Sequence, residues 1–145
     1  MGAVARRAGV SRITIYNRFG SRSGLLRALV PRSPTESPQL DDPLEALRRR
    51  FLDMCARWAE DPGLHRNLPR SAENADRDVD RRLVERLAAA DALRPGCSLK
   101  EAEDVLATLG SFAVFDGLYK DGRRTPGAVA EILMRLGSAI LTYHP

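Results

Sequence analysis

The sequence predicts an all-α protein, a helix-turn-helix module followed by a helical bundle. Three observations lead there. Short helical stretches separated by glycine turns fill residues 3 to 29, apolar side chains recur at steps of three and four from residue 44 to 141, and no stretch shows strand alternation or a hairpin turn. A chain of 145 residues can hold one well-packed domain, or a small module attached to one.

Taken in order, a short helix from Ala3 to Ala8 turns at Gly9, a residue that accepts backbone conformations others resist. Ser11 is placed to cap the next helix, Arg12 to Phe19, which reads Arg-Ile-Thr-Ile-Tyr-Asn-Arg-Phe. A third helix follows Ser21. Ile15 and Phe19 are four apart and share the face that packs inward with Val10, Leu25, Leu26 and Leu29. This module spans 1–30, and helix, tight turn, helix is the grammar of a DNA reader. Residues 31–43 carry four prolines and no hydrophobic period, which marks a linker.

The bundle is expected over 44–145. Asp42, Pro43 and Glu45 form a helix start, and Leu44, Leu47, Phe51, Met54 and Trp58 mark one face of a helix over about 43–60. Asp61-Pro62 restarts a short helix, and Val79, Leu83, Leu87 and Ala90 mark another that ends near Leu93 before Pro95-Gly96. Ser98 and Glu101 open a long helix over about 99–119, apolar on nearly every side and so expected to be buried on nearly every side. Thr125-Pro126 starts the last helix, whose wide apolar face includes Leu133, Leu136 and Ile140.

Charge is unevenly distributed. Residues 1–35 hold seven arginines and no acid, so that segment is +7 and the rest of the chain, at −3, brings the total to +4. Positive charge concentrated on the module is the footprint that phosphate binding requires, because each neutralised phosphate releases condensed counterions.

Val4-Ala5-Arg6-Arg7-Ala8-Gly9-Val10-Ser11, Thr14, Tyr16, Phe19, Ser21, Arg22 and Leu25 fall on the pattern Ile-Ala-x-x-Ala-Gly-Val-Ser-x-x-Thr-x-Tyr-x-x-Phe-x-Ser-Lys-x-x-Leu, with Arg22 in place of the lysine. On these residues the chain resembles the TetR-type bacterial transcriptional regulators. The close match covers 4–29, and the remainder is similar to that family's regulatory domain in helical layout alone. Two departures stand out. The family has a further helix ahead of the segment that here starts at Met1, and its apolar face would cover Val4, Ala5 and Ala8, so without it the module is expected to expose apolar surface. Pro31 also halts the third helix where family members continue it into the regulatory domain.

Direct readout needs bidentate groups at base edges. Arg12 suits guanine, Asn17 suits adenine, and Ile13 can meet a thymine methyl, whereas Thr14, Tyr16, Arg18 and Arg22 suit phosphates. The resemblance implies the same division, with the positions of Arg12, Ile13 and Asn17 used for bases and those of Thr14, Tyr16 and Arg22 for the backbone. It also implies an effector pocket, for which Phe51, Met54, Cys55, Trp58, Phe112 and Phe115 are candidates, although plain core packing explains the same residues. The nearly all-apolar helix and the last helix are expected to pair with symmetry mates through Ala107, Val114, Leu118, Leu133, Leu136 and Ile140. The implied partners are a palindromic operator in double-stranded DNA, a second copy of the chain and a small apolar effector.

Other functions find little support. His65 and His144 sit at no catalytic or metal spacing, and Cys55 and Cys97 form no Cys-x-x-Cys pair, so no catalytic residue, metal or cofactor is assigned. Asp76-x-Asp78-x-Asp80 resembles the start of a calcium loop, but Arg81 stands where glycine must turn the chain and Leu87 where a glutamate belongs. Those aspartates are expected to favour a helix N-terminus. No apolar run approaches the roughly 20 residues a membrane span needs, and the N-terminus is unlike a signal peptide. The reading is therefore a DNA-binding regulator of the bacterial cytoplasm and nucleoid, with repression expected over activation. Its alternative is a truncated regulator that no longer binds DNA and acts only as a helical dimerisation partner.

Overall fold

A computed structural model of the chain describes residues 1–29, 41–68 and 76–143. All regular structure among these residues is helical, apart from an isolated antiparallel bridge between Leu93 and Thr142. Of the linker expected at 31–43, residues 31–40 lie outside the described residues, as do Val30 and His144, and Pro43 is the first residue of a helix, as its place after Asp42 predicts.

Local capping chemistry sets most of the boundaries. Helix α1 (Gly2–Ala8) ends at Gly9, whose φ of 66° is the left-handed conformation that glycine adopts without a steric penalty. Helix α2 (Arg12–Phe19) starts on Ser11, whose Oγ accepts the Thr14 N–H at 3.0 Å, and helix α3 (Arg22–Leu29) starts on Ser21, whose Oγ accepts the Gly24 N–H at 3.0 Å. Asp42 caps α4 (Pro43–Glu60) through the Leu44 N–H, and Asp61 caps the short α5 (Pro62–Arg66) through the Leu64 N–H. Helix α6 (Arg77–Ala89) stops four residues earlier than the hydrophobic pattern suggested, because the chain turns over a left-handed Asp91.

The helix expected over 99–119 is broken. Helix α7 (Leu99–Leu109) ends at Gly110, α8 (Phe112–Asp116) starts on Ser111, and a π-helix (Gly117–Asp121) follows without a gap. Hydroxyls explain the break: Thr108 Oγ1 donates to the Asp104 carbonyl at 2.7 Å and Ser111 Oγ donates to the Thr108 carbonyl at 2.9 Å, while Gly110 offers little helix propensity. The new start turns Phe112 and Phe115 into the core. Helix α9 (Pro126–Leu141) then runs as expected from its Thr125 cap.

One apolar core joins α4, α6, α7, α8 and α9. Helix α4 supplies Leu47, Phe51, Met54 and Cys55, and α9 lies along it. Gly137 permits that approach, since a methyl group there would stand 3.3 Å from Phe51 Cε2. Leu133, expected on a dimer face, is instead fully buried in this core, because its side of α9 is the side turned to α4. In α1–α3 only Ala5 and Ile15 are buried, and neither belongs to the core of the bundle.

Candidate nucleic-acid interface

The outer face of α2 carries the residues expected to meet DNA. Ile15 is buried and Phe19 half-buried, which fixes the inner face and leaves Arg12, Ile13, Thr14, Tyr16, Asn17 and Arg18 exposed, with Arg22 exposed at the start of α3. Ile13 and Tyr16 are 71% and 63% accessible, far more than a core would leave on side chains of that size. Thr14 is placed by its neighbour, its Oγ1 lying 2.7 Å from Ser11 Oγ. The inward packing is looser than expected: Val10 and Leu29 stay exposed, and so does Val4 of α1.

Charge distinguishes this surface, since residues 1–29 hold six arginines and no acid. Arg6, Arg7, Arg12, Arg18 and Arg22 make no ion pair or hydrogen bond with any described residue. In the bundle several arginines are engaged, Arg48 with Glu131 at 2.6 Å, Arg49 with Asp53 at 3.1 Å, Arg66 with Asp116 at 2.6 Å and Arg81 with Asp78 at 3.0 Å, whereas Arg77, Arg94, Arg123 and Arg124 have no such side-chain partner among the described residues. Unpaired cations around an exposed helix with a serine cap and a glycine turn are an arrangement for holding phosphates. Residues 1–29 match the family model described as bacterial regulatory proteins, tetR family.

The match covers this segment alone, which is similar to the helix-turn-helix of that family. Neither a curated protein nor a solved structure matches the chain. The matched segment thus resembles a DNA-binding helix-turn-helix, and all regular helical structure among the described residues agrees with an all-α class.

The six candidates for an effector pocket are brought together, but as packed core. Phe51, Met54, Cys55 and Phe115 have at most 1% exposure, and Trp58 meets Phe112 and Phe115 at ring-centroid distances of 5.8 and 5.4 Å. Burial pushes the Cys55 thiol up to about 12, which makes it inert as a nucleophile or metal ligand. The aromatic cluster extends to residues the sequence did not flag. His65 stacks on Phe112 at 5.3 Å and Tyr119 on Phe115 at 5.0 Å. Burial lowers the His65 pKa, and the charge of Arg57 lowers it further.

An open surface groove of about 480 Å³ lies elsewhere, between α7 and α9, with Val105, Leu109 and Ile140 as apolar lining and Lys100, Glu101 and Asp104 among its polar residues. Beside it the expected dimer residues divide. Ala107, Leu136 and Ile140 are exposed, Val114 and Leu118 are half-buried against the core, and Leu133 is inside it.

The aspartates of the calcium-like run lie, as expected, at the N-terminus of α6, Asp76 as N-cap and Asp78 and Asp80 in the first turn, and they also pair with arginines. Asp80 Oδ1 accepts from Arg50 Nε at 2.9 Å, and Asp76 Oδ2 accepts from Arg50 Nη2 and Arg57 Nη2, each at 3.1 Å. Burial works against the charge on Arg50, but Asp80 and Asp76 outweigh it and raise its pKa. The sequence held a signal for this pair. Arg50 falls on the apolar stripe with Leu47, Phe51 and Met54, and Asp80 falls on the stripe with Leu83, Val84 and Leu87. A charge inside an apolar stripe calls for a partner.

Proposed function

We propose that the chain binds a palindromic operator in double-stranded DNA as a homodimer and represses transcription until a small apolar effector releases it. The observation that carries the DNA part is the set of five arginines without a partner among the described residues, arranged on and around an exposed α2. Arg12, Ile13 and Asn17 are assigned to bases, and Thr14, Tyr16, Arg18 and Arg22 to phosphates. Regulation in place of catalysis is what the tetR family implies, and the cytoplasm and nucleoid are where such a regulator works. Among the described residues no helix is long and apolar enough to cross a membrane.

The homodimer reading rests on the outer side of α7 and α9. Leu99, Leu136 and Ile140 keep 47%, 44% and 41% exposure, and the groove beside them has both Lys100 and the pair Glu101 and Asp104 at its polar edge. Under a twofold axis such an edge can meet its own opposite charges. The twofold would set two α2 helices about 34 Å apart, the spacing of successive major grooves on one side of DNA. The effector reading places the ligand against the aromatic cluster of Trp58, Phe112 and Phe115, with Phe51, Met54 and Cys55 behind it. Because these side chains are packed against one another, a ligand must displace core contacts and so bias the bundle between two packings.

A second reading, a chain that acts only through its dimerisation helices, is favoured by the two-residue buried core of α1–α3. Selection of duplexes from a random pool, followed by mobility shifts over a salt series, separates the two. Arg12→Ala should cost about 1 to 3 kcal/mol of specific affinity. Arg22→Ala should weaken specific and non-specific binding alike and reduce the salt slope by about one. Failure of the wild-type chain to enrich any sequence would leave the second reading, and equal operator affinity for wild type and Arg12→Ala would remove Arg12 from the base-reading set.

A further inference from the structure

Arg12 opens α2 and Gly2 opens α1, and the two meet across the turn. A methyl group on Gly2 would stand 3.0 Å from Arg12 Nε, 3.2 Å from Nη2 and 3.3 Å from Cζ, so the guanidinium lies directly over the bare α-carbon. Contacts that short are tighter than most real ones, so the guanidinium would have to give way by a few tenths of an ångström for a methyl group and by more for a larger side chain. A side chain at position 2 and the Arg12 guanidinium therefore compete for one space. The far end of an arginine yields more readily than a helix backbone, so a substitution would move the guanidinium and leave α1 and α2 in place.

Nothing polar holds Arg12 where it is, since it makes no hydrogen bond or ion pair with a described residue. All five N–H donors stay available, and the guanidinium rests in space that a side chain at position 2 would narrow. Bidentate recognition of guanine O6 and N7 demands that the plane of the guanidinium coincide with the base pair. We propose that Gly2 is a positioning residue for Arg12, setting the direction of its guanidinium and thereby the base that α2 selects at one operator position. The inference rests on the DNA reading above.

The test uses the full chain and a duplex selected by the wild-type protein from a random pool, together with versions substituted at each position in turn. Binding is read by fluorescence anisotropy. Gly2→Leu should lower the discrimination at one symmetric pair of positions about tenfold, the size of a lost bidentate contact. Discrimination elsewhere and binding to unrelated DNA should not change. Gly2→Ala should give a smaller loss at the same positions. Arg12→Ala should lose the same preference, and combining it with Gly2→Leu should add nothing. In the protein without DNA, nuclear Overhauser contacts should connect the Gly2 α-protons to the Arg12 side chain, and unchanged circular dichroism melting would show that Gly2→Leu is folded.

Retention of the wild-type base preference by Gly2→Leu, additive losses in the double variant, or absence of the Gly2–Arg12 contacts would each overturn the positioning role while leaving DNA binding intact. A wild-type chain that enriches no sequence would remove the DNA reading and this inference with it.

Discussion

His65 ties one side chain to the pH dependence of the whole. Its imidazole stacks on Phe112 beside the charge of Arg57, and the folded chain therefore holds it neutral to a lower pH than the ordinary 6.5. In that window the unfolded chain binds the proton and the folded chain does not, so stability is fully present above about pH 6.5 and falls as pH drops through it towards the folded value. Thermal melts at about pH 7.5 and about pH 5.5 should show a smaller acid loss for His65→Phe, which keeps the ring and removes the proton site. An equal loss in both proteins would assign the acid sensitivity to other groups. The sequence could not flag this residue, because its stacking partner lies far along the chain and no local spacing records the contact. Gly9, by contrast, was legible: a glycine between two short apolar-periodic stretches has few physical uses except a turn, and its φ of 66° is that use.

At the scale of elements, the joint between α4 and α6 is a buried ionic contact in a wall of aliphatic side chains. Arg50 and Asp80 each keep 8% exposure, and removing the Asp80 charge leaves the buried Arg50 with Asp76, an acid it shares with Arg57. Asp80→Asn should therefore lower the unfolding free energy by about 3 kcal/mol, measured by urea denaturation, while the paired change Arg50→Met with Asp80→Leu should recover most of that loss. A paired variant as unstable as Asp80→Asn would show that the joint needs its charges for shape as well as for mutual neutralisation. Helix starts at Asp42, Asp61, Ser98 and Thr125 were legible because capping is local, decided within three residues of chain. The break at Gly110 was not, although Gly110-Ser111 stands in plain view. An apolar pattern running through the pair favoured continuity, and what decides against it is hydroxyl competition for carbonyls together with the gain from turning Phe112 and Phe115 inward.

For the whole molecule, amphipathic pattern reveals which residues want burial and not what buries them. Leu133, Leu136 and Ile140 lie three and four apart on α9, yet the first is sealed in the core and the other two face outward. The dimer proposal accordingly belongs to Leu136 and Ile140 in preference to Val114 and Leu118, whose replacement would disturb the bundle itself. Ile140→Glu should give folded monomers in sedimentation at micromolar concentration, with weakened operator binding; a monomeric wild-type chain would defeat the twofold arrangement. Last, the unequal sharing of acids and arginines along the chain makes it an electric dipole. In the field of a polyanion such a molecule feels a torque as well as a pull. The torque turns the arginine-rich end forward and the acidic bundle away before any atoms touch, and it acts over about 8 Å at physiological ionic strength. Each encounter then begins from an orientation already close to the productive one, at a rate that added salt reduces even where the contacts finally made are unchanged.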